Sequence, residues 1–322
     1  MRMKENFFDY SSIFIIFFVS ILFAYVVGSG FYGYGNDFYA LYHKSNLNWG
    51  GWSDYIGYRI STFSVNENHY GVYLVTGILA FSTGLILKNF FKKKKIYSIF
   101  FFITIYSLAI HSWPVIMSTS NAMRQGISMS LIFISLSYLI NKQFTKSIFF
   151  ILLSIFTHKS GVFFVFIFFN MVLINSIFYS LKISYPKGFI YLLFGISILI
   201  ASTYILKNNL SIDNDHRIIG GDYRIPFFII NIITIVFFTI RNDLLRSNDI
   251  YLFLYLFNFV AISLLFLGFN WQYERLNMMM TIPYILIAGI LFTKRSTYLI
   301  WSIFFVFLLF LTINNGMYAS LN

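Results

Sequence analysis

The sequence predicts an all-α polytopic membrane protein. Three observations carry that prediction. Of 322 residues, 58% are hydrophobic and 22% aromatic; only 11% are charged; and the charges cluster between long apolar runs. A soluble domain carries about 25% charged residues, so the composition excludes a soluble globular enzyme. The mean hydropathy of +0.74 excludes a disordered chain. Cysteine is absent, which removes disulfides, a thiolate nucleophile and Cys metal ligands. The net charge of +12 suggests nucleic acid only until the charges are located. They flank apolar runs, as membrane topology requires, and no nucleic-acid partner is expected.

A helix crossing the roughly 30 Å apolar core needs about 20 mostly apolar residues. Ser11–Val27 follows a basic start (Arg2, Lys4). Its apolar run is long and no small-x-small site follows, so it reads as a span and not a cleaved signal. Tyr70–Leu87 ends on Lys88 and the Lys92–Lys95 run. Ile96–Trp113 begins beyond those lysines and stops at Pro114. Ala122–Ile140 follows the polar S-T-S-N of Ser118–Asn121 and ends before Lys142. Ser147–Thr157 and Gly161–Ser180 flank T-H-K-S-G. Gly188–Leu206, Pro226–Ile240, Ile250–Phe269, Met278–Phe292 and Thr297–Ile313 complete about eleven spans, in one membrane domain over residues 1–322.

Orientation follows from Lys and Arg. Fifteen of the 23 fall in alternate connections, from Arg2 and Lys4 through Lys294 and Arg295. That set is expected in the cytoplasm, with the N-terminus inside and the C-terminus outside. The outer connections are then residues 28–69, 114–121, 157–161, 207–225 and 270–277. Ser147–Thr157 spans about 16 Å as a helix, too short to cross alone. Yet Lys142/Lys146 and Lys182/Lys187 both read as cytoplasmic, so the chain between them crosses an even number of times. The T-H-K-S-G turn (Thr157–Gly161) must therefore sit below the outer surface. Backbone turning at that depth needs protein or a wet cavity around it, which places His158 and Lys159 in an outward-facing cavity.

The outer connections collect the unusual residues. The first mixes Tyr, Trp, Gly and Asn with Asp37, Tyr39 and Asp54. Rings stack on apolar sugar faces and polar groups bind hydroxyls; an interfacial aromatic belt has the same composition. Arg124 and Gln125 head an apolar span. An Arg there is costly unless it snorkels or meets an anion. The fourth connection packs Asp213, Asp215, His216, Arg217, Asp222 and Arg224 together. Its lone D-x-D is a weak metal signal, and Arg binding a phosphate is the better expectation. No metal or cofactor is expected. In N-W-Q-Y-E-R-L-N (Asn270–Asn277), Tyr273, Glu274 and Arg275 are either interfacial or ligand-binding, with Arg275 on phosphate and Glu274 on a sugar hydroxyl. Arg124, Lys159, Arg217, Arg224 and Arg275 suit a diphosphate. Asp37, Tyr39, Asp54, Gln125, Ser160, Asp222 and Tyr273 suit sugar.

The order of these pieces resembles the EpsG-like branch of the Wzy-type polysaccharide polymerases. It rests on G-N-D-F-Y-A-L-Y (Gly35–Tyr42), R-Q-G-I (Arg124–Ile127), F-T-H-K-S-G (Phe156–Gly161) and Y-E-R-L (Tyr273–Leu276). The R-Q and H-x-S pair at this distance is the most specific part. Lys159 stands between the His and the Ser. The resemblance implies a GT-C-like membrane glycosyltransferase that polymerises O-antigen or a related surface polysaccharide. A growing glycan on undecaprenyl diphosphate would pass to the terminal sugar of a new lipid-linked repeat unit. The reaction would occur at the outer face of a bacterial inner membrane, in a cavity facing the periplasm or cell exterior. A chain-length regulator and an upstream flippase are the implied partners.

The chemistry follows from the leaving group. A lipid diphosphate departs with its charge and needs cations more than an acid, and the planar fork of Arg binds phosphate oxygens bidentately. The attacking hydroxyl gains from a base, by about 10²–10⁴-fold. His158 is the first candidate because its reference pKa lies near neutrality, and Glu274 is the second. A histidine bonded within its own turn is the alternative for His158. Three rival activities share the composition: a lipid-oligosaccharide flippase or transporter, a polysaccharide ligase and an O-acyltransferase. A transporter often shows repeated halves, and no internal repeat is evident here.

Overall fold

The computed structural model describes residues 2–31, 38, 55–65, 68–181, 188–209 and 223–314. Nearly all of them are helical, in two compact units: residues 1–162 with 282–322, and residues 163–281. The helices are α1 (Arg2–Gly28), α2 (Tyr55–Ser61), α3 (Gly71–Lys93), α4 (Ile99–Ile110), α5 (Trp113–Ser120), α6 (Met123–Ile140), α7 (Phe144–Leu153), α8 (Gly161–Ser180), α9 (Gly188–Asn209), α10 (Arg224–Ile240), α11 (Asn242–Ser247), α12 (Asp249–Phe266), α13 (Asn270–Ile290) and α14 (Lys294–Asn314). A 3₁₀ turn, Ser154–Phe156, extends α7. Two strands of two residues each, β1 (Ser64–Val65) and β2 (Asn68–His69), pair antiparallel between α2 and α3.

Among the described residues, seven helices are long and apolar enough to span a membrane: α1, α3, α6, α8, α9, α12 and α14. Counting the bent pair α4–α5 as one span gives eight, fewer than the eleven expected. The other expected spans fall on α7, α10 and α13. The first two are short, and the first turns of α13 are polar. The α4–α5 bend is 56°. Ser112 is extended there (ψ 147) and Pro114 lies in the first turn of α5, a place where its missing N–H costs nothing. The expected connection at 114–121 is thus largely a helix, with Val115, Ser118 and Thr119 fully buried.

In the first unit, α1 and α3 pack through small residues. A Cβ on Gly84 would overlap Ile16, one on Gly28 would overlap Tyr73, and Gly77 faces Ala24. Close backbone approach of this kind drives association where lipid removes the hydrophobic term. At their lysine-rich end, Lys92 lies 2.7 Å from Asp9 and Lys88 lies 3.2 Å from it. Tyr106 on α4 ties the pair together, 2.9 Å from the Ser20 hydroxyl and donating to Ala80 O at 3.1 Å. The Trp301 ring on α14 stacks on Phe91 at 5.0 Å and its Nε1 donates to Leu286 O at 3.2 Å. Lys94 Nζ donates to the carbonyls of Ile290 and Phe292, closing the end of α13.

In the second unit, α12 is the most enclosed of the apolar spans. Phe164 on α8 stacks against Phe253 and Phe257 of α12. Gly195 lets α9 meet Phe259, and Gly188 lets α9 meet the carbonyl of Thr239 on α10.

Candidate functional site

Each unit holds one cluster of the residues picked out in the sequence. In the first unit it forms from α2, the α5–α6 turn and the turn after α7. Antiparallel α6 and α7 are joined by three residues, with Lys142 left-handed (φ 58) closing α6. The Ser135 hydroxyl on α6 donates to Ser147 O at 2.8 Å and lies 2.9 Å from the Ser147 hydroxyl on α7. Arg124 lies eleven positions before Ser135, and His158 eleven after Ser147. At 1.5 Å per residue Arg124 sits about 16 Å from the serine pair, and α7 with its 3₁₀ turn carries His158 toward the same end of the helix pair. The register therefore brings Arg124 and the turn that carries His158, 34 positions apart in sequence, to the same end of the α6–α7 pair.

Glycines close this cluster. A Cβ on Gly126, of the R-Q-G motif, would overlap the carbonyl of Ser118, so the α5–α6 turn is tight only because Gly126 is bare. A Cβ on Gly57 of α2 would overlap the carbonyl of Thr157, the residue before His158. Single-sequence reading passed over Gly57, because its partner lies 100 positions away.

The T-H-K-S-G turn is held by its own backbone. His158 N–H donates to Ser154 O at 3.2 Å, Gly161 N–H to His158 O at 2.9 Å and Val162 N–H to Lys159 O at 3.2 Å. Thr157 Oγ1 donates to Ser154 O at 2.8 Å. His158 Nδ1 accepts the Ser160 N–H at 3.1 Å and lies 2.8 Å from Ser160 Oγ. His158 and Ser160 are half-buried, and Lys159 is exposed. Arg124 is half-buried and Gln125 is 1% exposed.

In the second unit the cluster forms where α10 begins beside the start of α13. The expected outer connection 270–277 is instead the first two turns of α13. Glu274, 8% exposed, accepts the N–H of Tyr223 at 2.8 Å, just ahead of α10. A carboxylate suits a helix N-terminus, where unpaired N–H groups and the dipole favour negative charge. The Arg275 guanidinium stacks over Trp271, 4.5 Å from the ring centroid, and Arg224 is exposed. Tyr273 is fully buried, and its hydroxyl donates to Asn231 Oδ1 at 2.6 Å. Its proton is thus engaged inside the unit.

Asn231 extends that bond into a network that sequence reading missed. Its Nδ2 donates to Asn258 Oδ1 and to Asn277 Oδ1, each at 2.9 Å, and all three asparagines are fully buried. The network pins α10, α12 and α13 one turn from Glu274. The signal was available: polar residues inside apolar spans are costly and mark structural or functional sites. Asp37, Tyr39, Asp54, Arg217 and Asp222, and the D-x-D of Asp213–Asp215, lie outside the described residues. Among the described residues no group of three or more His, Asp or Glu is placed to hold a metal.

The sequence profile of the EpsG family matches residues 7–322. No curated protein and no solved structure matches the chain.

Proposed function

The chain belongs to the EpsG family, and from that premise we propose that it polymerises lipid-linked oligosaccharide repeat units into O-antigen or a related surface polysaccharide. The observation that carries the reading is the family match across nearly the whole chain. The register of α6 against α7 supports it, because it sets Arg124 and the turn that carries His158 at the same end of the two helices. In this reading the lysine-rich connections face the cytoplasm of a bacterial inner membrane, and the N-terminus is inside. Helices α7, α10 and α13 also cross, giving eleven crossings in a GT-C-like fold.

The reaction transfers the growing glycan from undecaprenyl diphosphate to the terminal sugar of a new repeat unit. The bond between the anomeric carbon and the diphosphate oxygen breaks, and its electron pair leaves with the lipid diphosphate. The acceptor hydroxyl oxygen forms the new glycosidic bond and gives its proton to a base. Arg124, Lys159, Arg217, Arg224 and Arg275 are the candidate diphosphate ligands, since charge grows on that group in the transition state. His158 is the first candidate for the base and Glu274 the second. Asp37, Tyr39, Asp54, Gln125, Ser160, Asp222 and Tyr273 remain candidates for the sugars. A chain-length regulator acts beside the polymerase.

The test is glycan length on cells lacking this gene. A null strain showing single-repeat capped lipid, with a ladder restored by the wild-type gene, is the expected result. Loss of even single-repeat units at the surface contradicts a polymerase and favours a flippase or a ligase. The site of accumulated lipid-linked intermediates then separates those two.

A further inference from the structure

The turn that carries His158 decides which of its ring nitrogens holds the proton. A backbone N–H can only donate, and the N–H of Ser160 points at Nδ1 from 3.1 Å. Nδ1 must therefore present its lone pair. The Ser160 hydroxyl, 2.8 Å from the same nitrogen, can rotate to donate as well. A neutral imidazole holds one proton, and with Nδ1 accepting, that proton is on Nε2. The turn leaves the ring little choice. His158 N–H and O are both tied into the backbone of the turn. Gly161 closes against the backbone of Ser154, where a Cβ would not fit.

A general base must meet the substrate with a lone pair. In His158 the lone pair is directed into the turn at Ser160, and the other nitrogen offers an N–H. Preorganised N–H groups stabilise developing negative charge, and the register sets this turn at the same end of the α6–α7 pair as Arg124. We infer that His158 is a hydrogen-bond donor to the departing diphosphate and not the proton acceptor, and that Ser160 is the positioning residue that fixes its tautomer. The inference rests on the polymerase reading. The acceptor's proton then goes to a carboxylate and not to His158, and the electron pair of the broken bond stays on the departing diphosphate, whose oxygens His158 and Arg124 hold.

Two measurements on the full-length protein in lipid nanodiscs test it. The first is nitrogen NMR of histidine-labelled protein, with the His158 signals identified by their loss in His158→Gln. A pyridine-type Nδ1 with a pyrrole-type Nε2 is expected; the reverse assignment overturns the inference. The second is polymer formation from undecaprenyl-diphosphate-linked repeat units extracted from the null strain. Glutamine reaches as far as Nε2 and ends in an N–H. His158→Gln should therefore keep activity within about 10-fold of wild type, while His158→Ala and His158→Glu lose about 10²-fold or more. A base predicts the opposite order, with Glu retaining activity and Gln falling to the level of Ala. That order overturns the inference. For Ser160, Ser160→Thr should restore both the tautomer signal and the activity that Ser160→Ala reduces; Ser160→Ala equal to wild type in both removes its positioning role. If wild-type protein forms no polymer, the polymerase reading fails, while the NMR assignment still judges the tautomer.

Discussion

The hydroxyls of Ser135 and Ser147 lie 2.9 Å apart, buried between α6 and α7, and fix the register of the two helices. A shift of one turn would move His158 about 5.4 Å along the axis relative to Arg124. Side-chain bonds between membrane helices average about 0.6 kcal/mol and reach about 1.7 kcal/mol. A double-mutant cycle with Ser135→Ala and Ser147→Ala should return a coupling in that range in detergent unfolding. Additive single effects would show that the register is held by apolar packing alone.

Gly57 should be intolerant of any side chain. Gly57→Ala forces α2 away from Thr157 or shifts the turn that carries His158. A misplacement of about 1 Å can cost about 10²-fold in rate. Polymer formation should fall steeply while the amount of protein in the membrane stays near wild type. Gly77→Ala is the control, since its Cβ would make only ordinary contact with Ala24.

Asn231→Leu should destabilise the second unit. It removes the Asn231 amide from the Tyr273 hydroxyl and from the Oδ1 atoms of Asn258 and Asn277, all buried. A buried polar group left without its partner costs about 1–3 kcal/mol. Thermal unfolding in detergent should show a lowered Tm, with little change for Asn170→Leu. Among the described residues, the Asn170 side chain bonds within its own helix, at Phe166 O.

Lys94→Met should loosen the end of α13. Lys94 Nζ meets two carbonyls there, at Ile290 and Phe292. A cation at a helix C-terminus contributes about 0.3–1 kcal/mol at exposed sites and up to about 2 kcal/mol when partly buried. Faster hydrogen exchange should appear over residues 286–292, whereas Lys95→Met, at an exposed position, should leave that segment unchanged.

Hydropathy alone placed α1, α3, α6, α8, α9, α12 and α14, because each is a single apolar run of sufficient length. Pro114 read as the end of a span, but in the first turn it starts a helix as readily as it stops one, and α5 follows. The polar run Asn270–Asn277 read as a loop. It is helical, with Tyr273 and Asn277 finding a partner on α10 and Glu274 one just ahead of it. The R-Q-G and H-K-S-G glycines were legible as motif residues, but their reason is spatial: Gly126 meets Ser118, and Gly161 meets Ser154. Gly57 carried no local signal, since its partner is far along the chain. Asn231 and Asn258 were visible as polar residues in apolar spans, yet nothing local joined them to each other. The His158–Ser160 spacing was legible; the direction of its hydrogen bonds was not.

The most direct test of the central claim is glycan chain length on null cells complemented with wild type, Arg124→Lys or Arg124→Ala at matched membrane levels. Lysine keeps the charge but not the planar fork. The account predicts a full ladder with wild type, a strongly shortened one with Arg124→Lys, and single-repeat capped lipid with Arg124→Ala. A full ladder with Arg124→Ala would contradict it, because the motif that the α6–α7 register sets at the same end as His158 would then have no part in polymerisation.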